Sequence, residues 1–168
     1  LGTASHYVHS ENYENIIDKL SQGHDVDDTI KQYASEPEKS EFEKISSLCE
    51  KFFEGNKVEE IIKNLIEEDS DLSNKFLSII NTKSPTSLKI ALKSLRLGAK
   101  NNFEECMKME FRMVSKVMND HDFYEGVRAL IIDKDNQPNW MPAKIEDVED
   151  IFVDEFFHSL EDDELNFN

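Results

Sequence analysis

The sequence predicts an all-α protein, and three observations carry that prediction. Apolar residues recur at helical spacing along almost everything after residue 10. Five Gly and four Pro in 168 residues are too few for a turn-rich β-sandwich. No stretch alternates apolar and polar residues convincingly, and only Leu130-Ile131-Ile132 is short enough to read either way.

Ser10 is placed to cap a helix with Tyr13, Ile16, Ile17 and Leu20 on one face, and Gly23 ends it. A shorter stretch carries Val26, Ile30, Tyr33 and Ala34 and closes at Pro37. Ser40 with Glu43, and Asn56 with Glu59, have the spacing of capping boxes. The first opens the run Phe42, Ile45, Leu48, Cys49, Phe52 and Phe53, which Gly55 stops; the second opens Val58, Ile61, Ile62, Leu65 and Ile66. Phe76, Leu77, Ile79 and Ile80 predict one or two further turns before Asn81. Ser84-Pro85 starts a helix, because Ser caps and Pro at the first position gives up no needed hydrogen bond. Leu88, Ala91, Leu92, Leu95 and Ala99 continue it, with Gly98 available for a left-handed cap.

The next helix, about 102–119, has two apolar sides, which predicts a central position. One side is Phe103, Met107, Phe111, Val114 and Met118; the other is Cys106, Met109, Met113 and Val117. Asp122 with Glu125 forms a third capping-box pattern before Val127, Ala129, Leu130 and Ile131. Residues 136–142, with Trp140, read as a loop. The tail resumes at Ile145, Val148, Ile151, Phe152 and Phe156 and trails off after Leu160. No fixed-period repeat points to a solenoid.

The chain carries 36 acidic against 19 basic side chains, a formal charge of −17. That charge opposes phosphate backbones and anionic lipid at long range, so neither nucleic acid nor a membrane surface is an expected partner. No apolar run approaches the roughly 20 residues of a membrane span. From Ile145 onward ten residues are acidic and none is Lys or Arg, which reads as a solvated face and a frayed tail. Between Ser84 and Asn119 the balance reverses, seven basic against three acidic. That strip fits either a surface for an anionic ligand or acidic neighbour, or an ordinary solvated face.

The residues show no catalytic apparatus. His6, His9, His24, His121 and His158 are scattered without metal-ligand spacing. Cys49 and Cys106 lie on apolar helix faces with no basic residue placed to generate a thiolate, and two cysteines make no disulfide framework. No glycine-rich turn presents a nucleophile or cradles phosphate. Phe123, Tyr124 and Trp140 read as packing aromatics, and Lys134, in Asp133-Lys134-Asp135, as a solvated charge. Residues 1–8 hold no basic residue and no long apolar stretch, so they do not read as a targeting peptide. With no initial Met, the chain is expected to be part of a longer protein.

Four segments in order carry a resemblance: Ser84-Pro85-Thr86-Ser87-Leu88-Lys89; Met109-Glu110-Phe111-Arg112; His121-Asp122-Phe123-Tyr124-Glu125-Gly126-Val127-Arg128-Ala129; and Ile132-Asp133-Lys134-Asp135 with Pro138 and Trp140. Together they resemble the C-terminal part of the 3-hydroxyisobutyryl-coenzyme A hydrolase family, in the crotonase (enoyl-CoA hydratase) superfamily. Residues 1–8 resemble the end of that family's catalytic core. The resemblance implies residues 1–10 as the end of the core, 11–83 as a variable helical region, 84–158 as the family's C-terminal helical domain and 159–168 as an acidic tail. It implies a mitochondrial thioesterase of valine degradation whose β-rich core, with its oxyanion-stabilising N–H groups and carboxylates, lies on other polypeptide.

On that resemblance this chain holds no catalytic residue, no metal and no cofactor, acyl-CoA being the substrate. It covers the acyl-CoA pocket, packs on the N-terminal core of the same protein and makes subunit contacts. Lys134 matches the family's Lys near the CoA nucleotide, with Phe123 as a further CoA-side residue. Lys93 stands where the family is expected to carry Arg, an exchange that would change a bidentate phosphate contact. The piece alone is expected to be inactive and to self-associate, for instance by helix exchange, through the apolar faces of the Ser84 and Asp122 helices. An alternative reading is a non-enzymatic scaffold of the same superfamily, such as a mitochondrial small ribosomal subunit protein. A free-standing helical interaction module would explain the acidic surface but not the ordered motifs.

Overall fold

Period-3.6 patterning dominates the chain, and helices dominate the fold. The computed structural model describes residues 4–37 and 41–167, with backbone alone for 41–44. The chain divides into two units, Leu1–Cys49 and Glu50–Asn168.

The first unit corrects the all-α expectation. Tyr7–Val8 (β1) pairs antiparallel with Ala34–Ser35 (β2), Tyr7 opposite Ser35 and Val8 opposite Ala34. Two-residue strands lie below the length at which alternation can be read, and their pairing is a long-range contact that no local pattern records. Between them run α1 (Tyr13–Ser21) and α2 (Val26–Tyr33). Ser10 does not cap α1; it opens a 3₁₀ turn, Ser10–Asn12. Gly23 makes the reversal at φ 85°, a conformation a Cβ disfavours. Asp25 caps α2 by accepting from the Asp28 N–H at 3.0 Å. Lys19 Nζ donates to Gln32 Oε1 at 2.6 Å and joins the two helices. No apolar side chain among the described residues of this unit is fully buried; Tyr13, Ile17 and Val26 are exposed.

α3 (Glu41–Phe52) carries the chain onward. The expected Ser40–Glu43 box lies outside the described residues. The second unit contains α4 (Val58–Glu68), α5 (Asp71–Ile80), α6 (Pro85–Gly98), α7 (Phe103–Val117), α8 (His121–Val127) and α9 (Asp150–Asp154). Several starts fall where the cap chemistry places them. Ser84 accepts from Ser87 N–H at 3.1 Å. In a complete capping box the Asn102 N–H donates to Glu105 Oε2 and the Glu105 N–H to Asn102 Oδ1, each at 2.9 Å. α4 starts one residue later than expected, because Glu60 rather than Glu59 reaches back to the N–H groups of Asn56 and Lys57. Gly98 is helical and supplies no left-handed cap; a Cβ there would sit in ordinary contact with Met109 Cε and Cys106 Sγ, at 3.7 and 3.8 Å.

Two apolar clusters stabilise this unit. Phe52, Ile61 and Leu65 are buried under Leu72, Phe76, Leu77, Ile80 and Leu92. Ile90, Met109, Met113, Val148, Val153 and Phe156 form the other. Of the two apolar sides of α7, only the one with Met109 and Met113 is buried. Phe103, at 74% exposure, and Val114 face outward.

The acidic tail is not frayed, which corrects the solvated reading. It lies along the basic strip of α6 and α7: Lys93 pairs with Asp154, Lys116 with Glu155 at 2.9 Å, and Arg112 Nε with Glu164 at 2.9 Å. Glu164 also accepts from Ser159 Oγ and the Leu160 N–H. Lys89, nearly buried, reaches Glu59 at 2.6 Å and the Val148 carbonyl at 2.7 Å. Arg96 donates to the carbonyls of Phe53, Glu54 and Gly55, at the C-terminal end of α3, where a cation is favoured. Much of the surplus of one segment thus answers that of the other.

Candidate functional site

The segment from α8 to Trp140 holds both residues singled out for CoA, so the site is built from there. Asp122, 4% exposed, is not a capping-box residue: α8 starts at His121 behind Asp120. Its carboxylate instead accepts from Ser84 Oγ at 2.5 Å and from the Met141 N–H at 2.8 Å, with His121 Nδ1 3.0 Å away. One buried carboxylate therefore ties the start of α6 to the start of α8 and to the 136–142 loop. Trp140 adds a second tie, its indole N–H donating to the Thr82 carbonyl at 3.1 Å. Its ring lies against Gly126, where a Cβ would meet it at 3.4 Å.

These ties frame a cleft of about 420 Å³, lined by Thr82, Lys83, Ser84, Ser87, Asp122, Leu130, Asn136, Pro138 and Trp140. A second cleft, about 410 Å³, lies between α4, α6 and α9. Lys57, Lys89, Lys93 and Arg96 line it, but each already has the carboxylate or carbonyl partner its charge requires.

After α8 the backbone widens into a π turn, Arg128–Ile132, closed by the Asp133 N–H donating to the Arg128 carbonyl at 2.8 Å. Leu130, Ile131 and Ile132 stand on this turn at 58%, 64% and 68% exposure, so the ambiguous triplet is neither strand nor core. Arg128 organises the loop beyond the turn. Its Nε and Nη2 grip Glu125 at 2.9 and 2.8 Å, Nη1 donates to Asp133 and Asp135 at 2.7 Å each, and Nη2 reaches the Gln137 carbonyl at 3.1 Å. Glu125 also accepts from the Asn139 N–H at 2.7 Å. The guanidinium, and then that N–H, hold the Glu125 carboxyl down at about 2. Asp135 is lowered by Arg128 and by the Gln137 N–H, and Arg128 is raised by its three carboxylates.

Lys134 sits at the tip of this loop, exposed, at φ 56°, with no ion pair among the described residues. Phe123 is 38% exposed and packs edge-on against Tyr124, centroids 5.3 Å apart. No hydrogen bond or cation–ring contact joins Phe123 to Lys134. Sequence reasoning missed Arg128; its signal was the i, i+3 spacing to Glu125 on one helix and the flanking Asp133 and Asp135.

The family model described as enoyl-CoA hydratase/isomerase matches residues 1–157. The chain is 41% identical over 156 residues to the mitochondrial 3-hydroxyisobutyryl-CoA hydrolase of Gallus gallus, covering 93% of this chain and 39% of that protein. It is 37% identical over 181 residues to the mitochondrial 3-hydroxyisobutyryl-CoA hydrolase of Homo sapiens, covering 99% and 46%. It thus spans less than half the length of these curated relatives. A carnitinyl-CoA dehydratase from Mycobacterium thermoresistibile superposes with a TM-score of 0.88 at 30% identity, over 98% of this chain and 47% of that one. An enoyl-CoA hydratase from Rhodobacter sphaeroides 2.4.1 gives 0.86 at 26%, over 99% and 48%. These likenesses also set the all-α class aside: the chain has the fold of a helix-rich part of crotonase-type enzymes, small sheet included.

Proposed function

Because the chain belongs to the enoyl-CoA hydratase/isomerase family, we propose that it is the C-terminal part of a mitochondrial 3-hydroxyisobutyryl-CoA hydrolase of valine degradation. The whole protein adds water to the thioester carbonyl and releases 3-hydroxyisobutyrate and CoA thiol. The groups that polarise the carbonyl and move protons belong to polypeptide outside this chain. These helices cover the acyl-CoA pocket and make subunit contacts, with the Lys134 ammonium on the nucleotide phosphates and Phe123 beside it.

The observation that carries this reading is the 41% identity across 93% of the chain to a hydrolase of that name. The structure supports it through its unpartnered apolar surface. Tyr124, Leu130, Ile131 and Ile132 on the α8 side, and Phe103 and Val114 on α7, are more than half exposed. Leu130, Ile131 and Ile132 are consecutive on the π turn, and an exposed apolar run of that kind suits burial against a neighbouring polypeptide. The decisive experiment is thioester hydrolysis by the full-length protein: it cleaves 3-hydroxyisobutyryl-CoA, and residues 1–168 alone do not. A full-length protein without thioesterase activity would point instead to a non-enzymatic scaffold.

A further inference from the structure

We infer that Arg128 is a positioning residue that keeps the Lys134 ammonium free and correctly placed for the CoA nucleotide; this rests on the proposed reading of Lys134. The physical basis is competition for counter-charge. Lys134 lies between Asp133 and Asp135, either of which would be its nearest carboxylate. Arg128 takes both, each at 2.7 Å through Nη1, and anchors itself on helix α8 through the bidentate Glu125 grip. With the Gln137 carbonyl as its fifth acceptor atom, the planar fork has a bond for every N–H it carries.

The loop thereby holds Lys134 at φ 56°, which a non-glycine residue adopts only when its surroundings impose it. Among the described residues the Lys134 ammonium is also left without an ion pair, so an external phosphate need not displace a carboxylate. Without Arg128 the local charge becomes more negative by one, and both aspartates are released toward Lys134. A lysine at position 128 supplies the charge but not the fork, since a single ammonium cannot bridge Glu125, Asp133 and Asp135 in one plane.

The test uses the full-length protein with Lys134→Ala, Arg128→Gln, Arg128→Lys and the Lys134→Ala/Arg128→Gln double variant. The substrates are 3-hydroxyisobutyryl-CoA and the same acyl group on pantetheine, which lacks the nucleotide. The single variants raise KM for the CoA ester about two- to fivefold, the range of an exposed ion pair, and leave kcat close to wild type. The double variant is no worse than Lys134→Ala, and the pantetheine ester responds to none of them. Three results overturn the inference: a wild-type KM in Arg128→Gln, equal effects on both substrates, or multiplicative effects in the double variant. If Lys134→Ala itself leaves KM unchanged, the nucleotide reading of Lys134 fails first and this one with it.

A second readout needs no activity. A lysine-specific endoprotease cuts after Lys134 faster in Arg128→Gln, a change that adds no lysine, with its other sites unchanged. Uniform acceleration at every site marks a role in global folding and refutes positioning. A full-length protein that hydrolyses no thioester defeats the proposed function, while cleavage at Lys134 still decides whether Arg128 holds the loop.

Discussion

Removing the Asp122 carboxylate tests the tie between α6, α8 and the Trp140 loop. Asp122→Ala leaves two donors without their acceptor, the Ser84 hydroxyl at 2.5 Å and the Met141 N–H at 2.8 Å. Ser84 is 5% exposed, so its orphaned hydroxyl costs about 1–3 kcal/mol. Met141 lies in an exposed loop where water replaces the lost bond, so only its ordinary net worth, about 0.5–1.5 kcal/mol, is lost. The sum, about 1.5–4.5 kcal/mol, is a large share of a domain's total stability.

Asp122→Asn keeps an oxygen for the Met141 N–H, but its amide can only donate to Ser84 Oγ, so the Ser84 hydroxyl still loses its acceptor while the Met141 bond survives. The surviving bond loses charge assistance, about 1 kcal/mol. Urea unfolding of the 168-residue chain, followed through Trp140, its single tryptophan, measures both. Ser84→Ala combined with Asp122→Ala costs less than the sum of the single variants, because both break the same bond. An Asp122→Ala variant within about 0.5 kcal/mol of wild type would refute the assignment of Asp122 as the buried tie.

Other outcomes rest on the same geometry. Leu65→Ala, at a fully buried position beside Phe52 and Ile61, destabilises the second unit by about 2–5 kcal/mol in denaturant titration. The Glu125 carboxyl is depressed from 4.5 to about 2, so its contribution to stability is present above pH 4.5 and lost as pH falls through about 2. Acid titration of thermal stability in Glu125→Gln is therefore shallower than wild type across that window. An unchanged slope would mean that the Arg128 grip contributes nothing in solution. Glu164→Gln speeds hydrogen exchange at the Leu160 N–H, which Glu164 accepts at 3.1 Å. Salt near about 1 M, where the screening length is about 3 Å, speeds the same amide in wild type by weakening the Arg112–Glu164 pair.

The amino-acid sequence by itself determined the helical character of α4 to α7, the cap at Ser84 and the family. These rest on information within a few residues: apolar spacing along one face, a hydroxyl able to reach an N–H three residues on, and motifs in fixed order. Lys134 is singled out only through the resemblance that its ordered neighbours carry, and its role stands as a proposal. The tertiary structure alone decided where longer-range pairing won. β1 meets β2 across two intervening helices, and each strand is too short for alternation to register. The acidic tail read as a solvated face and the basic strip as either a solvated face or a surface for an anionic ligand or acidic neighbour, and only their juxtaposition turned them into ion pairs. Asp122 and Glu125 had capping-box spacing, yet stronger partners were available: Ser84 and Met141 for one, the Arg128 fork for the other. A side chain's local options are written in its neighbours, but the chosen partner depends on which distant donor the fold brings within hydrogen-bond reach.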